Sequence, residues 1–336
     1  MLQVFLCVVA AISLQHHPII MKNLAFLTCT LFSFFTAFAQ KDTCEIGVYI
    51  SSLHDFDFSK KSFSADFWIW MDYKNDSLNF ENALDVTNSK TEEFKHFFHE
   101  KKGGRNVISE KCTAELMCEW NVARFPFDQQ TVCINLEDAD HDTSSLMYKA
   151  DKLDSTIDST FSSGEWTITD FKVSDKVHTY ETTHGNKVFF AKSSYPSLSV
   201  RVQLKRNNSW LLLFKMLTGA YVAFLIACLV FFVSSEHQDS RFGLCVGGLF
   251  AAIGNKYIVE SIIPTSTTNT LMDHIHILTF GFILLIVTMI IISLRLYDSG
   301  NEQKVKQSRR IDKWAFISII LLYAILNAIL IYQASH

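Results

Sequence analysis

Apolar and polar positions alternate through the middle of this chain and run together near its start and over its last third. The segments "SADFWIWMDY" (64–73), "TVCINLED" (131–138), "EWTITDFKV" (165–173) and "LSVRVQLKR" (198–206) alternate or cluster β-branched and aromatic residues over strand length. Polar turns separate them, so the spacing predicts an antiparallel β-sandwich of about 160 residues. One stretch, "EEFKHFFHE" (92–100), reads instead as a turn or two of helix. After Ser209 the period changes, and apolar runs at about 210–234, 271–295 and 313–333 are long enough to cross a hydrocarbon core of about 30 Å. A fourth run, 241–263, is of spanning length but carries Arg241, Asn255, Lys256 and several glycines, so it must face protein or water rather than lipid.

The start of the chain offers two beginnings. From Met21, a lysine, an apolar run and the small-residue site Ala37-Phe38-Ala39 form a secretory signal over 21–39, with cleavage expected after Ala39. Residues 1–20 then read as an upstream start extension; a retained membrane helix is the alternative. The expected division is a periplasmic β-sandwich over 40–207 and a four-helix membrane domain over 208–336. Basic residues at 295, 304, 306, 309, 310 and 313 fill the connection between the last two spans, whereas "PTSTTNT" (264–270) has none. By the positive-inside rule the former is cytoplasmic, which puts both ends of the mature chain outside and leaves only a short loop between the third and fourth helices.

Charge and cysteines narrow the function. With 30 basic and 34 acidic residues the formal charge is -4, which gives no basic footprint for nucleic acid. Export leaves Cys44, Cys112, Cys118 and Cys133 in an oxidising compartment, where three pairings are possible. Neither zinc-ligand spacing nor a Ser/His/Asp set is present, which disfavours a membrane-anchored enzyme, and no cofactor is implied.

Between Cys118 and Cys133 lies "RFPFD", residues Arg124, Phe125, Pro126, Phe127 and Asp128. An exported sandwich, four spans, a polar second helix and this turn together resemble the pentameric ligand-gated ion channels, the Cys-loop receptor superfamily, and especially its prokaryotic members. The resemblance implies a homopentamer in a bacterial inner membrane, with the Phe-Pro-Phe-Asp turn at the membrane end of the sandwich. It also places an arginine just before the first membrane helix, where Arg206 stands, to meet Asp128 in a bidentate pair that couples the two domains. Pro264 would end the second helix, and the loop after it would complete the coupling. A Cys118–Cys133 disulfide, with Cys44–Cys112 as companion, is likewise implied. Fourteen residues separate the first two, one more than in the family's animal receptors, and one extra residue turns a strand side chain to the other face unless a bulge absorbs it.

Counting back from Pro264 puts Asp239 at the cytoplasmic mouth, with Gly243, Gly247, Phe250, Gly254, Tyr257 and Ser261 on the same helical face. Five copies would ring a pore, with carboxylates favouring cations and Phe250 gating by dewetting. Arg241 opposes this if it faces the lumen, and Glu260 would add an outer acidic ring. The glycines equally suit close helix packing, a rotated face or a non-conducting receptor that relays to a partner. Lys256 and Asn255 read as subunit contacts or, for Lys256, a snorkelling lysine. The family binds agonists between subunits, and here Trp68, Trp70, Tyr180 and Tyr195 are the candidate cage for an amine. A proton is the other stimulus considered, through His141. Asp138, Asp140 and Asp142 in "EDADHD" are calcium candidates that lack a full loop signature.

Overall fold

The computed structural model describes residues 41–158, 160, 164–182, 192–263 and 269–336. The expected signal peptide, the start extension, Pro264 and the tip of the Tyr180–Tyr195 hairpin lie outside the described residues. Residues Thr43–His336 form one compact unit.

Among the described residues ten strands make two sheets. The first has the order β4 (Ser89–Lys102), β5 (Arg105–Met117), β2 (Ser62–Tyr73), β1 (Asp42–Asp57), β7 (Leu146–Ala150), and β8 (Thr156–Ile157) pairs in parallel with β1. The second runs β3 (Leu84–Val86), β6 (Gln129–Asp138), β10 (Ser194–Arg206), β9 (Trp166–Thr179). Alternation sets the core. Phe63, Ala65, Phe67, Ile69 and Met71 of β2 face Val132, Ile134 and Leu136 of β6 and Leu198, Val200, Val202 and Leu204 of β10, all buried in one cluster. Burying a side chain of this size contributes roughly 1.5–3 kcal/mol, which is why one face of each strand reads as apolar.

The stretch 92–100 is not helical. It belongs to β4 and pairs antiparallel with β5 along its length, with a register shift between Lys95 and Phe98 that brackets His96 at a positive φ. Ladder hydrogen bonds to a neighbouring strand outweigh the local preference, and the bulge accounts for the broken alternation that imitates a helical period.

Four helices of membrane length follow: α1 (Ser209–Cys228, continued by a 3-10 turn to Phe232), α2 (Gln238–Ile262), α3 (Leu271–Tyr297) and α4 (Glu302–Ser335). Thr270 caps α3 in a reciprocal box with Asp273. The fourth helix begins eleven residues earlier than expected. Asn301 caps it, accepting from the Gln303 amide at 2.8 Å, so the basic residues 304–313 lie on its first turns instead of in a loop. Close approach of α1 and α2 centres on Gly248, where an added Cβ would lie 2.8 Å from the Ala223 carbonyl oxygen.

Candidate functional site

Three places gather the residues singled out by sequence. The first is the junction between sandwich and helices. The turn after Ala123 passes through a cis Phe125–Pro126 bond and delivers Asp128 into the interior, 3 % exposed. Asp128 Oδ1 accepts from Arg206 Nε at 2.6 Å and Oδ2 from Arg206 Nη2 at 3.1 Å, while Gln130 Nε2 donates to Oδ2 at 2.6 Å. The guanidinium lies over three rings, 4.2 Å from the Trp166 centroid, 4.9 Å from Phe125 and 5.1 Å from Phe58. Every hydrogen-bonding direction of the carboxylate used here has a donor, which is what a buried charge needs. Phe125 also joins Leu213, Met216 and Leu217 of α1, Val259 of α2 and Met272 and Ile275 of α3 in one buried cluster, and Phe127 meets Trp210 edge-on at 4.9 Å. Gln130, Trp166 and Phe58 are parts of this junction that sequence reading missed. Only Gln130, two residues beyond Asp128 on the same strand face, had a signal in the spacing.

The second is α2. Asp239, Gly243, Gly247, Phe250, Gly254, Tyr257 and Ser261 are all exposed in the single subunit, Phe250 at 66 % and Tyr257 at 69 %. A Cβ at Gly243, Gly247 or Gly254 would meet nothing within 4 Å, so these glycines do not serve packing inside the subunit; Gly248, off this face, does. Arg241 turns away from it. The side chain is 1 % exposed, Nη2 is ion-paired with Asp312 of α4, and Nε donates to the Val233 carbonyl at 3.0 Å. Asn255 is an intrasubunit link: Nδ2 donates to the Met216 carbonyl at 3.0 Å and Oδ1 lies 3.0 Å from His276 Nε2. Lys256 does not snorkel freely. It pairs with Glu260 at 2.6 Å and lies 3.7 Å from Asp273.

The third is the outer part of the sandwich. Tyr180 and Tyr195 meet edge-on at 5.8 Å, and Tyr195 pairs directly across the ladder with His178. Glu137, 5 % exposed, accepts from the Tyr180 hydroxyl at 2.7 Å and lies 2.5 Å from His178 Nδ1. Burial, then the bond to Glu137, pushes the Tyr180 hydroxyl up to about 12. Burial, with the Glu137 charge behind it, also raises the Asp85 carboxyl. Glu137 and His178 were not foreseen, because only strand register brings them together. Trp68 and Trp70 stand elsewhere, on the outward face of β2: Trp68 stacks on His96, and Trp70 covers Gly47 and donates to Asp151 Oδ2 at 3.1 Å.

Two expectations are corrected. The aspartates of 137–142 do not converge on a cation. Asp138 is fully buried, accepting from the Tyr148 hydroxyl at 2.9 Å and from the Asp140 and His141 amides, and Asp142 caps Ser144. No group of three or more metal-ligating side chains occurs among the described residues. Among the described residues the six cysteines, too, are free. Cys112 registers through Phe67 with Ile50, about 20 Å along β1 from Cys44, far beyond the roughly 7 Å a disulfide spans. Cys118 and Cys133 are both half-buried neighbours with free thiols, and the Cys118 thiol donates to the Thr131 carbonyl at 3.8 Å.

A β-sandwich followed by four membrane-length helices describes a multi-pass membrane protein with an extramembrane domain. Residues 85–208 match the family model described as neurotransmitter-gated ion-channel ligand binding domain, and this stretch runs from β3 to the start of α1. That stretch of the chain is similar to the ligand-binding domain of the neurotransmitter-gated ion channels. No curated protein matches it.

Proposed function

We propose that five copies of this chain form a ligand-gated, cation-selective channel whose pore is lined by α2. The observation that carries this reading is the bare face from Asp239 to Ser261. Seven residues at helical spacing have no packing duty inside the subunit, while the one basic residue of the helix's first turns is turned inward and neutralised by Asp312. A ring of Asp239 at the narrow end would concentrate cations, and Phe250 would supply the apolar constriction. The division at about residue 208, the bacterial inner membrane and the periplasmic sandwich are part of the same reading, supported by the basic first turns of α4.

The agonist is a small amine held between subunits. Glu137, Tyr180, Tyr195 and His178 would form one wall, and Trp68 and Trp70 of the next subunit the other. Binding favours the open state. The Asp128–Arg206 junction, with Phe125, Pro126 and Phe127, and the loop from Pro264 would transmit it. Planar-bilayer recording of the chain from Met21 against a panel of amines, amino acids and pH steps tests this. Asp239→Ala is expected to lower the cation preference, and Glu137→Gln to weaken apparent amine affinity about tenfold or more, as for loss of a charged hydrogen bond. A non-conducting receptor of the same fold is the second reading, favoured by the three glycines that leave three of the seven positions on the lumen face without a side chain. Silence from surface-exposed pentamers across the whole panel would select it.

A further inference from the structure

Glu137 is the carboxylate assigned above to the amine, and both of its oxygens are already taken. It stands near the end of β6, 5 % exposed, with Asp85 of β3 and Ser197 of β10 directly across the ladder on either side. Oε1 accepts from the Tyr180 hydroxyl at 2.7 Å. Oε2 lies 2.5 Å from His178 Nδ1, the ring nitrogen that has to carry the hydrogen in order to face a carboxylate. A carboxylate this deeply buried costs free energy unless it is bonded, so the two donors stabilise it while no ligand is bound. With so little of its surface open, a third donor enters only by displacing one of them.

The two donors are not equally held. Tyr180 packs edge-on against Tyr195 at 5.8 Å, and burial, then the bond to Glu137, pushes its hydroxyl up to about 12, so it keeps its proton. The His178 side chain is 47 % exposed, with its ring tilted on that of Tyr180 at 4.2 Å between centroids. An N–H set against a carboxylate, with an aromatic ring beside it, is also what an amine headgroup would present in the same place. We propose, resting on the amine reading of this site, that His178 is a built-in competitor: it holds Glu137 in the empty site, and the ligand's ammonium takes Oε2 from the imidazole while Tyr180 keeps Oε1. Removing a side chain that only lines a site weakens binding. Removing one that occupies the ligand's place strengthens it, by the worth of the bond that no longer has to be broken.

That sign is the test. The full chain in detergent is titrated with methylamine, ethylamine and propylamine hydrochlorides, small enough for the space an imidazole edge vacates, and binding is read by saturation-transfer NMR. His178→Phe, which keeps a ring against Tyr180 and loses the donor, is expected to bind them about fivefold more tightly than the unaltered chain, the equivalent of one hydrogen bond, and His178→Ala should do the same. His178→Gln restores an N–H and should return to within about twofold of the unaltered chain. Adding Glu137→Gln to His178→Phe should cost about tenfold, which places the probe on that carboxylate. Equal or weaker binding by His178→Phe and His178→Ala, with the unaltered chain binding the amines, would overturn the competitor and leave the amine site standing. An equal gain in His178→Gln would overturn it as well, because lost packing rather than a lost donor would then be responsible. Binding of none of the probes by any of the chains would overturn the amine reading itself, and the competitor with it.

Discussion

Among its described residues the chain buries two arginine–carboxylate pairs, one at each end of its membrane helices, and they are built differently. At the outer junction Asp128 accepts two bonds from Arg206 and a third from Gln130, and the guanidinium is enclosed by Trp166, Phe125 and Phe58. At the inner end Arg241 and Asp312 share one contact, and each keeps a polar atom without a partner. Taking an ion pair out of water costs several kcal/mol per ion, and the loss is recovered only when the remaining hydrogen-bonding capacity is also met. The outer pair meets that condition inside the subunit. The inner pair does not meet it among the described residues. One is a fully bonded structural joint, the other an ion pair with hydrogen-bonding capacity to spare.

Five variants would break or sharpen that contrast, each read as the unfolding midpoint of the detergent-solubilised chain. The largest effect is expected from Arg206→Ala, which strands a buried carboxylate and should cost about 3–5 kcal/mol. A loss no greater than that of an exposed arginine would mean Asp128 is reached by water and the joint is not closed. Replacing the inner pair whole, as Arg241→Met with Asp312→Leu, should leave stability unchanged or raise it by about 1–4 kcal/mol in lipid-free detergent, because both unmet polar atoms disappear together. A clear loss there would place the two pairs in one class. Gln130→Leu should cost about 1.5–3 kcal/mol, the worth of a hydrogen bond to a charge, and tests whether the third donor is what completes the outer pair. The smallest change is expected from Phe58→Leu, about 0.5–1 kcal/mol beyond its lost apolar area, for the removed cation–π contact. The double variant Phe58→Leu with Arg206→Ala should then cost less than the two losses added, since the ring and the cation act on each other.

Much of the architecture was legible in the pattern. Period-two runs became β2, β6, β9 and β10, and the apolar runs became four helices, because the burial that selects those residues follows the same periods as the backbone. The stretch 92–100 misled because the bulge after Lys95 shifts the register and breaks the alternation. The start of α4 misled because lysines and arginines are good helix formers that an apolar filter discards. In the candidate sites, Asp128 and Arg206 were found through a motif and its distance to the first helix. Glu137 and His178 sit 41 residues apart with no local signature, and nothing in the spacing pairs them.

By itself the sequence determined a strand-rich domain ahead of four membrane-length helices and the turn that carries Asp128. Those properties are local, set by side-chain period, turn chemistry and the length needed to cross a bilayer. Only the tertiary structure decided that Arg241 turns inward to Asp312, that Gly248 rather than its neighbours admits α1, and that Glu137 stands among His178, Tyr180 and Tyr195. Each of these depends on the register between two strands or the rotation of one helix against another. A shift of one residue in either reassigns every side chain to a different face, and no short stretch of sequence fixes that choice alone.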